Sequence, residues 1–254
     1  MGISAGLVLT NSAFLYIIFA LNAALLMNYI LRRSKRKTIG ITVSDTAEVV
    51  VSAPIFATKA MIDSVIHNKK SWIDAKLKIV NSRIESFTPK RFINGEEFKY
   101  LGDNFKLSIL NDKHPIRLID SKLCVGLNKR TLQKETDNQL IKNKIITWYR
   151  KQAQEYLNKK ATKMASQIGV NPILIKEKAY KRSWGMCHNN GKIFINYKLI
   201  MAPKKVIDYV IIHELCHLKH PNHSRDFWNL VALHCSDYLS SKKWLKENGY
   251  TLDL

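Results

Sequence analysis

The chain has 254 residues, of which 46% are hydrophobic and 24% are charged. This length suffices for one large domain or two small ones, and the composition excludes a disordered chain, a fibrous repeat and a small disulfide-stapled scaffold. Lys and Arg number 41 against 20 Asp and Glu, a formal net charge of +21. Nucleic acid, an anionic membrane face and a phosphate-bearing substrate are therefore candidate partners, although the even spread of the basic residues favours a solvated surface over one dedicated groove.

The first 26 residues form an apolar N-terminal segment that has three interpretations. Residues 3–31 contain no Asp, Glu, Lys or Arg, and about 20 apolar helical residues cross a bilayer. One interpretation is a single membrane span, with the basic residues at 32–37 keeping the catalytic domain that follows in the cytoplasm. The second is an over-extended start, with Met27 as the true first residue. The third is a cleaved signal peptide, which the lack of a positive n-region disfavours.

The hydrophobic pattern predicts an α+β fold, with one subdomain over residues 27–130 and a second over 131–254. In the first subdomain the predicted elements are a strand from Asn28, a hairpin of 38–43 with 48–53, one helix from its N-cap Thr58 to Ile84, and strands within 98–110 and 116–127. In the second they are a helix over 137–168 that Gly169 ends, short strands within 173–180 and 192–196, a helix from Pro203 to Leu218, and a helix over 224–239.

The helix after Pro203 carries the HExxH arrangement, His213-Glu214-Leu215-Cys216-His217. Four steps of about 100° bring His217 to within about 40° of His213 and one turn along, so both imidazoles face one ion. Glu214 is offset by about 100°, where its carboxylate can accept a proton from water at the ion. The spacing therefore predicts a metal site with His213 and His217 as ligands and Glu214 as general base and acid.

A catalytic zinc requires a third protein ligand and one open position. His220 and His223 are the candidates, and both follow His217 closely. Pro221 predicts that the helix ends near His220, whose ring then points elsewhere. His223 lies at the entrance of the next predicted helix, where the chain can turn back toward the ion. The spacing therefore favours His223 and leaves His220 as the alternative.

The simplest competing interpretation of the motif is a chance pair of surface histidines on an amphipathic helix. The residues before His213 are strongly apolar, among them Val206, Val210 and Ile211. A buried Glu beside two histidines is costly without a partner, and a metal ion supplies that partner. We therefore favour the metal site.

From residue 27 to its end the chain resembles the YgjP-like metallopeptidase domain, a relative of the SprT-like zinc metalloproteases. The segments that carry the resemblance are RSWGMC at 182–187, INYKLI at 195–200 and HELCHLKHPNHSRDFW at 213–228. The resemblance implies a zincin-like fold, with Zn²⁺ bound by His213, His217 and His223 and with Glu214 as the catalytic acid and base. Met186 departs from the family, which often has Ser at this position.

The first functional hypothesis is a zinc metallopeptidase that cleaves peptide or protein substrates, with the strand at 192–196 offering its edge to an extended chain. The second is a metal-dependent nucleoside triphosphate pyrophosphatase, a label that some YgjP-like proteins carry. The third is a DNA-associated protease that the basic surface recruits to nucleic acid. Four cysteines without a CxxC pair exclude a cysteine zinc ribbon, and we expect free thiols.

Overall fold

The computed structural model describes residues 28–86, 88–127 and 137–254. Within these ranges the protein is α+β, with six α-helices and three small sheets, as the hydrophobic pattern predicts. The chain packs as two units that divide between Thr88 and Pro89.

The first unit is a three-stranded sheet followed by two helices. Its elements are β1 (Tyr29–Ser34), β2 (Gly40–Val43), β3 (Val49–Pro54), α1 (Lys59–Asn68) and α2 (Lys70–Ser86). Strand β3 lies in the centre, antiparallel to β2 and parallel to β1. The predicted first strand and hairpin are thereby confirmed. Val51 of β3 packs in a core with Ile62 and Ile73 from the two helices, and all three are at most 1% exposed.

The helical region of the first unit differs from its prediction, because one helix was expected where two are present. The N-cap is confirmed, since the Thr58 hydroxyl accepts a hydrogen bond from the Met61 N–H at 3.3 Å. The break falls at Lys69, whose backbone leaves the helical region at φ −106° and ψ 7°. A break of one residue does not disturb the spacing of the apolar positions on either side, so periodicity alone does not detect it.

The second unit contains two sheets and four helices. Its elements are β4 (Glu97–Tyr100), β5 (Asp103–Leu110), β6 (Arg117–Ile119), β7 (Lys122–Gly126), α3 (Asp137–Ile168), β8 (Leu174–Lys178), β9 (Gly185–Cys187), β10 (Lys192–Asn196), α4 (Lys204–Cys216), α5 (Arg225–His234) and α6 (Tyr238–Asn248), with 3₁₀ turns at Tyr197–Met201 and Gly249–Thr251. The sheets have the strand orders β4-β5-β7-β6 and β8-β10-β9. Helix α3 has its predicted bounds, and Gly169 follows it at φ +74°, in the left-handed region that glycine tolerates.

Both sheets of the second unit pack into one core around α3 and α4. Phe98 and Val125 belong to the same buried cluster as Ile145 and Tyr149 of α3 and Leu215 of α4. The packing division therefore falls near residue 88 and differs from the sequence-based boundary near residue 130. Strands β4 and β7 pack on residues far along the chain, which include the 3₁₀ turn at Tyr197–Met201 and helix α3.

The expected N-terminal membrane anchor is corrected by the structure. No helix in the described ranges is long and apolar enough to cross a bilayer. Residues 1–26, on which that expectation rested, lie outside the described residues.

Replacing Ile145 with Ala tests the core of the second unit. Ile145 is fully buried in the N-terminal third of α3, so we expect Ile145→Ala to lower the free energy of unfolding by about 2–5 kcal/mol. Leu233→Ala is the control, because Leu233 is 77% exposed, and its expected change is within about 0.5 kcal/mol. Urea unfolding followed by circular dichroism measures both, and equal losses would contradict the assigned core.

Candidate metal centre

Helix α4 carries the motif at its C-terminal end, after a mostly apolar segment. Pro203 stands at its N-cap position, where the missing N–H costs nothing. From Val206 to Cys216 nearly every residue is buried, Glu214 included at 6% exposure. Ile211 and Leu215 pack into the core of the unit. This burial places His213 and Glu214 in surroundings largely closed to water.

The structure brings three of the sequence-predicted site residues together. His213, His217 and His223 each offer one ligand atom, and these atoms all lie within 4.8 Å of one another. The Nε2 atoms of His213 and His223 are 3.1 Å apart. His223 reaches the helix from the loop before α5, which Ser224 caps by accepting the Phe227 N–H at 3.4 Å.

His220 contributes its backbone to the site while its ring stays outside the histidine cluster. The Nδ1 atom of His217 lies 3.1 Å from the His220 carbonyl oxygen. A carbonyl can only accept, so His217 carries its proton on Nδ1 and leaves Nε2 free as a metal ligand. This contact is the kind of supporting hydrogen bond that orients a ligating imidazole.

Two aromatic side chains from α5 hold the histidine rings in place. Phe227 is fully buried and stacks on His217, with centroids 4.5 Å apart and planes at 28°. Trp228 stacks on His223 at 5.5 Å and 22°. Both aromatic side chains therefore pack directly on candidate ligands. Stacked rings restrict the rotamers of both histidines and so pre-organise the cluster.

The electrostatic environment favours the neutral form of His213 and His217, which is the form that binds a metal. Burial, with smaller contributions from His217 and His223, lowers the pKa of His213 to about 3. Burial also lowers the pKa of His217. The Nδ1 atom of His213 is buried and has no hydrogen-bond partner among the described residues. Three imidazole nitrogens converging in this way fit a divalent ion of the zinc class.

Glu214 lies against strand β9, a contact that the sequence analysis missed. A Cβ atom added at Gly185 would sit 2.5 Å from Glu214 Oε1 and 2.7 Å from its carboxyl carbon. Only a glycine therefore admits the carboxylate here. The backbone N–H of Cys187 donates to Glu214, and burial, which outweighs this hydrogen bond, raises the pKa of the carboxyl to about 7. The WGMC string was the available signal, and the sequence analysis used it only as part of the family resemblance.

The edge strands of this sheet are β8 and β9, which corrects the prediction that residues 192–196 offer an edge. Strand β10 occupies those residues and is paired on both sides. The His188 N–H donates to Lys192 and the Asn196 N–H donates to Trp184. In this alternating pattern the backbone groups of Gly185 and Cys187 face away from β10, toward the open edge.

The cysteines take no part in the cluster. All four are free thiols, as predicted. Cys216 lies within the motif but is fully buried, and burial raises the pKa of its thiol to about 12. A thiol held neutral in this way is an inert packing group.

A comparison with protein families matches residues 37–248 to the model described as YgjP-like, metallopeptidase domain. Comparisons with curated proteins and with solved structures found no match. The matched range contains every residue of the centre, and the family implies a divalent metal.

Metal content separates the two candidate third ligands. We expect His223→Ala to lose metal, because its ring nitrogen lies among the ligand atoms. His220→Ala is the matched control and should keep it, because only its backbone carbonyl contacts the site. Elemental mass spectrometry on both purified full-length variants gives the answer, and loss of metal from His220→Ala alone would reverse the assignment.

Proposed function

Because the chain belongs to the YgjP-like metallopeptidase family, we propose that it is a zinc-dependent peptidase with its active site at the end of α4. The observation that carries this proposal is the convergence of three imidazoles beside a buried carboxylate. Helix α4 lies against a small sheet that has β9 at one edge, and this packing also supports a zincin-like arrangement of the second unit.

His213, His217 and His223 are the proposed zinc ligands, which leaves one position for water or substrate. When bound, the ion would polarise the substrate carbonyl and lower the pKa of water, so that water can lose a proton and attack the carbonyl. The His220 carbonyl fixes the His217 tautomer, and Phe227 and Trp228 fix the ring planes. Three neutral ligands leave the ion its full charge, which suits Lewis acid chemistry better than a thiolate-rich site does.

Glu214 is the proposed general base and acid. Its carboxylate takes the proton from the attacking water and delivers it to the amine that leaves when the peptide bond breaks. The Cys187 N–H holds the carboxylate in place, and the missing Cβ of Gly185 allows that close approach. The rigid strand thus orients the group that transfers the proton.

The open edge of β9 is the proposed platform for an extended peptide. The backbone groups of Gly185 and Cys187 face outward there, beside Glu214. An added strand would pair with those of them that Glu214 does not use, and such pairing binds main chain without demanding a particular sequence. The scissile bond would then lie beside the catalytic carboxylate.

Glu214→Gln separates metal binding from chemistry. We expect this variant to keep wild-type metal content, because all three histidines remain, while hydrolysis of a quenched fluorescent peptide library falls by at least about 100-fold. His213→Ala should lose both metal and hydrolysis. Full activity in Glu214→Gln would contradict the assigned role.

Gly185→Ala tests the contact that positions Glu214. The added methyl group overlaps the carboxylate, and displacement of a catalytic group by about 1 Å can cost about 100-fold in rate. We expect kcat to fall by at least about 10-fold while metal content is unchanged.

The control for this variant is Met186→Ala. Met186 is the next residue on the same strand and is 40% exposed, so its replacement should leave kcat within about two-fold. Equal kcat values for the wild type and Gly185→Ala would contradict a positioning role.

A further inference from the structure

A lysine outside the motif lies one aromatic ring away from the histidine cluster. Lys242 of α6 extends over the indole of Trp228, with Nζ 4.2 Å from the ring centroid. The same indole stacks on His223. Tyr238 lies nearly parallel to it at 5.3 Å and 20°, which fixes the indole plane. Lys242 and Trp228 therefore form a ledge, an ammonium on an aromatic plane, beside the metal centre.

The charge of Lys242 is uncompensated. Within the described part of the chain it makes no ion pair, whereas its neighbour Lys243 lies 4.0 Å from Glu247. Lys242 is close enough to the cluster to contribute to the lowered pKa of His213. A cation in this position also repels a bound divalent metal and so costs metal affinity. An anion that approaches both the ammonium and the ion would be attracted by both charges.

We propose that the ledge of Lys242 and Trp228 is a substrate subsite that binds a carboxylate of the peptide. This inference rests on the proposed peptidase function and adds a substrate class to it. The ammonium pairs with the carboxylate, and the indole beneath it holds the ammonium in place. Two sources in a peptide share this chemistry, namely its C-terminal carboxylate and an Asp or Glu side chain.

The test measures peptide binding without cleavage, in zinc-loaded full-length protein carrying Glu214→Gln. Three acetylated tetrapeptides serve as probes: Ala-Ala-Ala-Phe with a free C-terminus, the same peptide as its C-terminal amide, and the amide of Ala-Ala-Asp-Phe. Isothermal titration gives each Kd. We expect a carboxylate-bearing probe to bind at least about 10-fold more tightly than the neutral amide, a difference of about 1.4 kcal/mol, since only the charged probe makes a charge-assisted contact. Which of the two binds more tightly identifies the source of the carboxylate.

Lys242→Gln should abolish that preference, leave the Kd of the neutral amide within about two-fold, and leave zinc affinity equal or higher because a repulsive charge is gone. Lys243→Gln is the matched control and should keep the preference. The proposal is overturned if all probes bind equally, if none binds, or if Lys242→Gln keeps the preference, as it would if the carboxylate bound only the zinc. Failure of the peptidase proposal appears separately, as absent zinc or absent hydrolysis in the protein with Glu214 intact.

Discussion

The centre depends on the burial of ionisable groups at the end of an apolar helix. Helix α4 is buried over most of its length, and it carries His213 and Glu214 into that apolar environment. Transfer of a carboxylate or an imidazole out of water costs several kcal/mol unless each polar atom finds a partner. Glu214 receives the Cys187 N–H and His217 donates to the His220 carbonyl. One ring nitrogen from each of His213, His217 and His223 lies in the cluster, where a divalent ion would be the partner of all three.

The second unit supplies those partners from elements far apart in the chain. Strand β9 brings Gly185 and Cys187 against the helix beside Glu214. The Ser224 cap sets the start of α5, and the same turn directs His223 back toward His213. Strand β9 and helix α5 both pack on the buried cluster that contains α4, so their positions relative to α4 are fixed by that packing. A rigid frame of this kind suits a reaction in which the position of one carboxylate sets the rate.

The sequence predicted those parts of the site that follow from helical spacing. HExxH has a geometric meaning on any helix, so the approach of His213 and His217 could be predicted, and Pro221 made His223 the better third candidate. The role of β9 could not be predicted in this way. Strand β9 has three residues and no usable periodicity, and the value of Gly185 lies in the atoms it lacks.

Other differences between expectation and structure have equally local causes. The break at Lys69 is too short to alter the apolar pattern of the helix. Strand β10 was predicted to be an edge strand because the sequence of one strand does not reveal its neighbours in the sheet. The charge of Lys242 could be counted from the sequence, but its place over Trp228 depends on the packing of α6 against α4. Net charge alone therefore indicated no particular site.

The most direct test of the account is the X-ray absorption spectrum of the purified, zinc-loaded protein. Three imidazole ligands and one oxygen predict a first shell of nitrogen and oxygen scatterers at about 2.0–2.2 Å, with the outer-shell pattern of imidazole rings. A sulfur scatterer at about 2.3 Å would contradict the account, because it would place a cysteine on the metal in the position assigned here to His223. Failure of the folded protein to retain zinc would contradict the account as a whole.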